Sequence, residues 1–186
     1  IFDEFHERSL NADLGLALCL EVAQALRDDL MLVAMSATLD ADPIAEAMNA
    51  PIVTSEGRSF EVTPHWMDRP APSSLRYEQI VANEVMHALK QANGSALVFL
   101  PGEGEIRRVQ AILAGQLDAS CAVEPLFGAM DFASQRRAIS PAISGRKVVL
   151  ATSIAETSLT IPDITIVVDG GRARRAPGGH PQPRRR

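Results

Sequence analysis

The chain has 186 residues, 46% of them hydrophobic, enough for a real core in one domain or parts of two. No apolar run reaches the roughly 18 residues of a membrane helix and no signal peptide is visible, so no membrane partner is expected. The net charge of −5 divides unevenly, because residues 170–186 hold six arginines and no acid, leaving 12 basic against 23 acidic residues before them, a balance of −11; an acidic body argues against nonspecific coating of nucleic acid, though not against a narrow groove that grips a strand by hydroxyls and amides.

In chain order, the first stretch is IFDEFHERS, an apolar stub running directly into Asp3, Glu4, His6 and Glu7. Residues 11–27 predict a helix with Leu14, Leu18, Val22 and Leu26 on one stripe and Asn11 as its cap. MLVAMS (31–36) predicts a strand and 41–49 a short helix. A stretch with three prolines, Gly57 and the only tryptophan (55–74) marks a domain junction. Beyond it, helices are expected over 75–92, 103–115 and 131–139, and strands over 95–100, 147–152 and 164–169. The strand runs are almost wholly apolar, as in parallel strands covered on both faces, so the fold class is α/β. From Gly170 the apolar pattern stops, and the Gly/Pro/Arg text predicts a disordered basic tail. Cys19 and Cys121 lie far apart without metal-ligand spacing, which predicts a reduced, cytoplasmic protein.

Three stretches carry groups suited to chemistry. Asp3 and Glu4 follow an apolar stub, at what would be the carboxyl end of a strand, where open α/β sheets bind ligands. Adjacent carboxylates there suit holding Mg²⁺ through water and deprotonating a water that attacks a phosphate. The plainer alternative is a solvated acidic turn with Arg8 as its partner. A metalloprotease needs two histidines four apart around a glutamate, and His6 has no such mate. Ser36 and Thr38 in MSATLDA follow the strand at 31–35, either as hydroxyls beside the acidic cluster or as a cap for the helix at 41–49, with Thr38 or Asp40 capping. Thr152, Ser153, Thr157, Ser158 and Thr160 in ATSIAETSLTIPDI lie just after a buried strand. They suit phosphate oxygens, or simply cap a turn.

Taken together and in this order, DEFH, SAT, LVFLPGEGEI (97–106), PLFGAMDFASQ (125–135) and ATSIAETSLTIPDI resemble the DEAH/RHA branch of superfamily 2 helicases. GRSFEV (57–62) resembles the segment that joins the two RecA-like domains of that family, and Phe5 stands where most relatives have alanine. The resemblance implies RecA-like parallel sheets flanked by helices. Residues 1–55 would be the C-terminal part of the first RecA-like domain, 56–74 the interdomain linker and 75–169 most of the second, followed by the tail at 170–186. It also implies an enzyme that uses ATP and Mg²⁺ to move along single-stranded RNA. Asp3 would coordinate Mg²⁺ through water, Glu4 would be the catalytic base, and His6 would couple the nucleotide to the second domain. Ser36 and Thr38 would link hydrolysis to strand movement. Thr152, with Ser153, Thr157 and Ser158, would contact the RNA backbone. Gly128 and Gln135 fall in a matching stretch without an individual role.

No G-x-x-x-x-G-K-[ST] loop is present to cradle ATP phosphates, nor the QRxGRAGR element that supplies arginines to the transferred phosphate. The family places the first upstream of Asp3. The chain is therefore expected to be a fragment, inactive by itself, and its arginine-rich end is read as out-of-frame text rather than as an RNA-binding arm. Two other functions fit some of the residues: a non-catalytic RecA-like module that binds RNA or protein, and a DNA translocase, since these motifs do not separate RNA from DNA.

Overall fold

The computed structural model describes residues 1–37, 41–57, 60–67, 70, 72–155 and 160–173, and of Ile154 the backbone only. The chain divides into two compact units, Ile1–Pro64 and His65–Arg186.

In the first unit the apolar stub and the run around residue 34 pair in parallel, through a bridge between Phe2 and Ala34. The Phe2 N–H donates to the Val33 carbonyl, the Met35 N–H to that of Phe2, and the Phe5 N–H to that of Met35, each at 2.8 Å. The strand expected over 31–36 thus shrinks to one bridge: with one partner segment beside it, Met31, Val33 and Met35 stay exposed. Helix α1 (Leu10–Ala25) starts earlier than expected, because the Ser9 hydroxyl rather than Asn11 caps it, accepting from the Ala12 N–H at 3.1 Å. Its expected buried stripe is exposed as well. Leu14, Leu18 and Leu26 are more than half exposed and Leu16 is buried instead. The sequence LNADLGLALCLEVAQA is apolar on several sides, so spacing alone does not choose the inward face. A short helix, α2 (Asp42–Met48), with Pro43 in its first turn, ends at Asn49 in the left-handed region (φ 47°).

The second unit is a four-stranded parallel sheet built from β1 (Ser95–Phe99), β2 (Cys121–Leu126), β3 (Arg146–Ala151) and β4 (Ile164–Asp169), in the order β2-β3-β1-β4. Helices α3 (Tyr77–Gln91) and α4 (Glu103–Ala114) cover one face and α5 (Phe132–Ile139) the other. Period-2 alternation explains the two layers. Ala96, Val98, Val148 and Leu150 pack with Val85, Ile106 and Val109 on the first face, while Leu97, Val149 and Ala151 meet Ala138 and Ile161 on the second. Strand β2 was not foreseen. Glu124 and Pro125 interrupt CAVEPL, a pattern suited to an edge. There the Gln110 side chain donates to the Val123 carbonyl at 3.2 Å and blunts that edge.

Two consecutive bases at the start of β3 tie the layers together. Arg146 reaches the end of α3, donating to the carbonyls of Leu89 (2.8 Å), Ala92 (2.8 Å) and Gly94 (2.6 Å). Lys147 points to the opposite face, and its buried ammonium donates to the carbonyls of Ala138 (2.8 Å) and Ser140 at the end of α5. Each cation satisfies helix-end carbonyls that have no partner within the helix and complements the negative end of the dipole. Burial pushes the Lys147 ammonium below its ordinary value, and Asp163 and Glu124 pull it partly back. Replacing Arg146 with Met strands three carbonyls, so Arg146→Met is expected to cost about 2 kcal/mol of stability. Urea denaturation followed by circular dichroism measures this, and an unchanged midpoint would contradict the clamp.

Candidate functional site

The acidic cluster sits on a strained turn. Glu4 and Arg8 are both in the left-handed region (φ 51° each) and flank the 3-10 turn Phe5–Glu7. Such backbone costs of order 1–3 kcal/mol per residue and persists only where surroundings enforce it. Here Phe5 anchors the turn. It is buried, its N–H is held by Met35, and its ring meets that of Phe2 edge-on with centroids 6.2 Å apart. The turn brings the His6 and Glu4 side chains together and orients Asp3 through the backbone. The Glu4 N–H donates to Asp3 Oδ1 at 2.8 Å, which orients the Asp3 carboxylate. The His6 Nε2 lies 3.3 Å from Glu4 Oε2. His6 Nδ1 accepts from the Ala37 N–H at 3.3 Å, so the neutral ring carries its proton on Nε2 and presents it to Glu4. Arg8 is not the internal partner of the cluster, since it pairs with Asp13 at 3.1 Å.

Ser36 therefore lies between two residues, Met35 and Ala37, that each hydrogen-bond the acidic segment. Through these bonds the DEFH stretch lies beside residues 35–37. Thr38 and Asp40 are outside the described residues.

In the second unit, the carboxyl ends of the strands carry the other candidates. Thr152 follows β3 directly, and its N–H donates to the Leu126 carbonyl at 3.2 Å, which carries the ladder one residue past the strand. The carbonyl of Thr152 accepts from Ala155 in the 3-10 turn Ser153–Ala155. The Thr152 side chain is half-buried, whereas Ser153 and Thr160 are exposed; Thr157 and Ser158 lie outside the described residues. Beside Leu126, the loop at 127–131 is braced by Gln135, whose side-chain amide donates to the Met130 carbonyl (3.0 Å) and reaches that of Gly128 (3.5 Å). Asp131 caps α5 by accepting from the Ser134 N–H at 2.9 Å, which holds its carboxyl below the ordinary range. A groove of about 580 Å³ adjoins this loop. Its arginines are paired, Arg107 with Glu103 and Arg137 with Glu124, so it offers no net basic surface.

One cluster at this edge escaped the sequence reading. Tyr77, the only tyrosine, opens α3, and its hydroxyl is buried with no hydrogen-bond partner among the described residues. The Arg172 guanidinium carbon lies 4.3 Å from the centre of its ring. Gly170 permits the approach, since a Cβ there would stand 2.3 Å from the Tyr77 hydroxyl oxygen and 2.7 Å from the Phe99 carbonyl oxygen. Its N–H extends the β1–β4 ladder by donating to Phe99 at 3.1 Å. The available signal was a lone tyrosine before a helix and a Gly-Gly pair after an apolar strand.

Among the described residues no group of three or more His, Cys, Asp or Glu side chains is placed to hold a metal ion, and no helix is long and apolar enough to cross a membrane. A four-stranded parallel sheet with helices on both faces is the RecA-like architecture. The fold matches the crystal structure of the Escherichia coli DEAH/RHA helicase HrpB with a TM-score of 0.79 and 52% identity, covering 89% of this chain and 21% of that one. Residues 78–176 match the helicase conserved C-terminal domain, and the chain belongs to that family, in its DEAH/RHA branch. It is 53% identical over 178 residues to the ATP-dependent RNA helicase HrpB of E. coli K12, covering 95% of this chain and 22% of that protein. It is 36% identical to the HrpA homologue of Haemophilus influenzae, covering 94% of this chain and 13% of that one. The chain thus spans about a fifth or less of the bacterial relatives it matches. The family match runs through residue 176, beyond the 169 at which the sequence resemblance was placed.

Burial raises the Tyr77 phenol above its ordinary 10.0, while Arg172 pulls it back toward normal. A raised folded value means that this stabilisation is complete below pH 10 and fades as pH climbs through the folded value. Because the chain has one tyrosine, ultraviolet titration at 295 nm reads this group alone. A midpoint above 10 is expected, moving higher still in Arg172→Ala. A midpoint at 10 in both proteins would show that the phenol is not caged.

Proposed function

We propose that these residues belong to an ATP-dependent RNA helicase, in which ATP hydrolysis drives movement along a single strand. The observation that carries this reading is the His6 bridge, with one ring nitrogen toward Glu4 and the other accepting from Ala37 of the SAT segment. A solvated acidic turn has no need of a histidine fixed between its carboxylate and a second motif. The names of the relatives support the same reading.

The donor set fits a magnesium-bound triphosphate. Mg²⁺ prefers oxygen ligands, keeps most of its waters and is held by one or two carboxylates plus phosphate oxygens, so a three-ligand protein cage is not required. Asp3 is exposed and oriented by the Glu4 N–H, which suits it to hold the ion through water. Bound there, Mg²⁺ neutralises charge on the phosphates. Glu4 takes the proton of the attacking water. His6 keeps the Glu4 carboxylate in place and, through the Ala37 amide, links its position to Ser36 and Thr38. Thr152 and Ser153, with Thr157 and Ser158, meet the strand's phosphate oxygens by hydroxyl and amide donors, which suits an acidic body that cannot rely on basic charge. The free thiols of Cys19 and Cys121 suit a reducing cytoplasm.

Two outcomes test this assignment. In a chimaera with these residues in place of the matching span of the E. coli relative, Glu4→Gln is expected to lower ATP turnover at least 10²-fold and leave RNA affinity intact, the loss typical of a missing general base. Retained turnover would remove Glu4 from the chemistry. In the 186-residue chain, Thr152→Ala is expected to weaken single-stranded RNA binding about fivefold, roughly one hydrogen bond to a charged group. Equal affinity of mutant and parent, or a preference for DNA, would overturn the strand contact as drawn.

A further inference from the structure

We propose that Arg172, held over the ring of Tyr77, is a nucleobase-stacking platform for the strand whose backbone meets Thr152 and Ser153, an inference that rests on the strand-binding reading above. The register sets the spacing. Phe99 of β1 is level with Ala151 of β3 and with Asp169 of β4. Thr152 follows the first of these, and Arg172 comes three residues after the second. With one strand between them, Ala151 and Asp169 are about 10 Å apart across the sheet, two strand spacings. Both lie at the carboxyl ends of the strands, where open α/β sheets bind ligands. A nucleotide held by its phosphate at Thr152 thus has its own base, or the next one, within reach of Arg172.

The local structure is built to present that guanidinium. Gly171 takes a left-handed turn (φ 69°), and its N–H is held by Asp169 Oδ1 at 2.8 Å. The turn brings Arg172 back over the ring of Tyr77. The ring's hydroxyl is buried close beside Gly170. Arg172 itself is exposed and makes no ion pair among the described residues. A guanidinium is planar and weakly hydrated on its faces, so with one face on an aromatic ring the other suits a second flat π-system.

The surroundings favour a base over a phosphate. Asp169, Glu78 and Glu105 all act on Tyr77 electrostatically. Glu78 and Glu105 share Arg108, and Asp169 offsets Arg172, so this edge carries no net positive charge to draw a phosphate and tolerates an uncharged base.

The test uses the 186-residue chain and a fluorescent single-stranded RNA, in anisotropy titrations at two salt concentrations. Stacking on one side chain contributes enough that Arg172→Ala is expected to weaken binding about tenfold. Arg172→Lys, which keeps the charge but not the plane, should lose nearly as much. Arg136→Ala removes an equally exposed arginine from α5 and should stay within about twofold, which controls for net charge. On a strand with abasic sites, parent and Arg172→Ala should bind alike. If Arg172→Lys binds as well as the parent, or if the abasic strand shows the same tenfold loss, Arg172 contacts phosphate and the stacking proposal is wrong. If Thr152→Ala weakens binding and Arg172→Ala does not, the strand-binding reading stands and the platform falls. If the parent chain binds no RNA, both fall together.

Discussion

The second unit depends on a pair of cations at the start of β3. A parallel strand leaves its two neighbouring helices ending near its amino end, each with unpaired carbonyls and a partial negative charge. Arg146 and Lys147, being consecutive, point to opposite faces and close both helix ends at once. The far end of the same strand, at Ala151 and Thr152, is thereby held at a fixed height between β2 and β1. What reaches solvent there is set by the alternation of apolar residues along β3. Packing at one end of a strand and presentation at the other are one constraint.

That geometry also explains what was readable in the amino-acid text. Strands β1, β3 and β4 are continuous apolar runs and were located within a residue or so, as were α3, α4 and α5. Strand β2 was missed because an edge strand has only one neighbour and carries Glu124 and Pro125, which no central strand would tolerate. The inward side of α1 was misread because leucines occupy several of its faces, so that Leu16 and not Leu14 or Leu18 is enclosed. Caps were half legible. Asp131 stands three residues before the Ser134 amide that donates to it, but Ser9 competes with Asn11, and only the backbone decides between them.

For the site, the motif text located the acidic cluster and the hydroxyl-rich turn, yet their partners are three-dimensional. The bond from Ala37 to His6 spans 31 residues of sequence. Nothing local in either stretch announces it. The left-handed backbone of Glu4, a non-glycine residue, is likewise invisible to composition. The Tyr77–Gly170–Arg172 cluster brings together positions from opposite ends of the unit. In each case the residue types were readable while the meeting was not, because the sheet's register decides which chain ends become neighbours.

The central claim is that the acidic cluster and the hydroxyl edge serve one ATP-driven motor on RNA. The most direct measurement is ATP turnover by the chimaera as single-stranded RNA is added. The account predicts turnover that rises with RNA and saturates along the RNA-binding curve. Turnover that ignores RNA while the strand binds normally would contradict it.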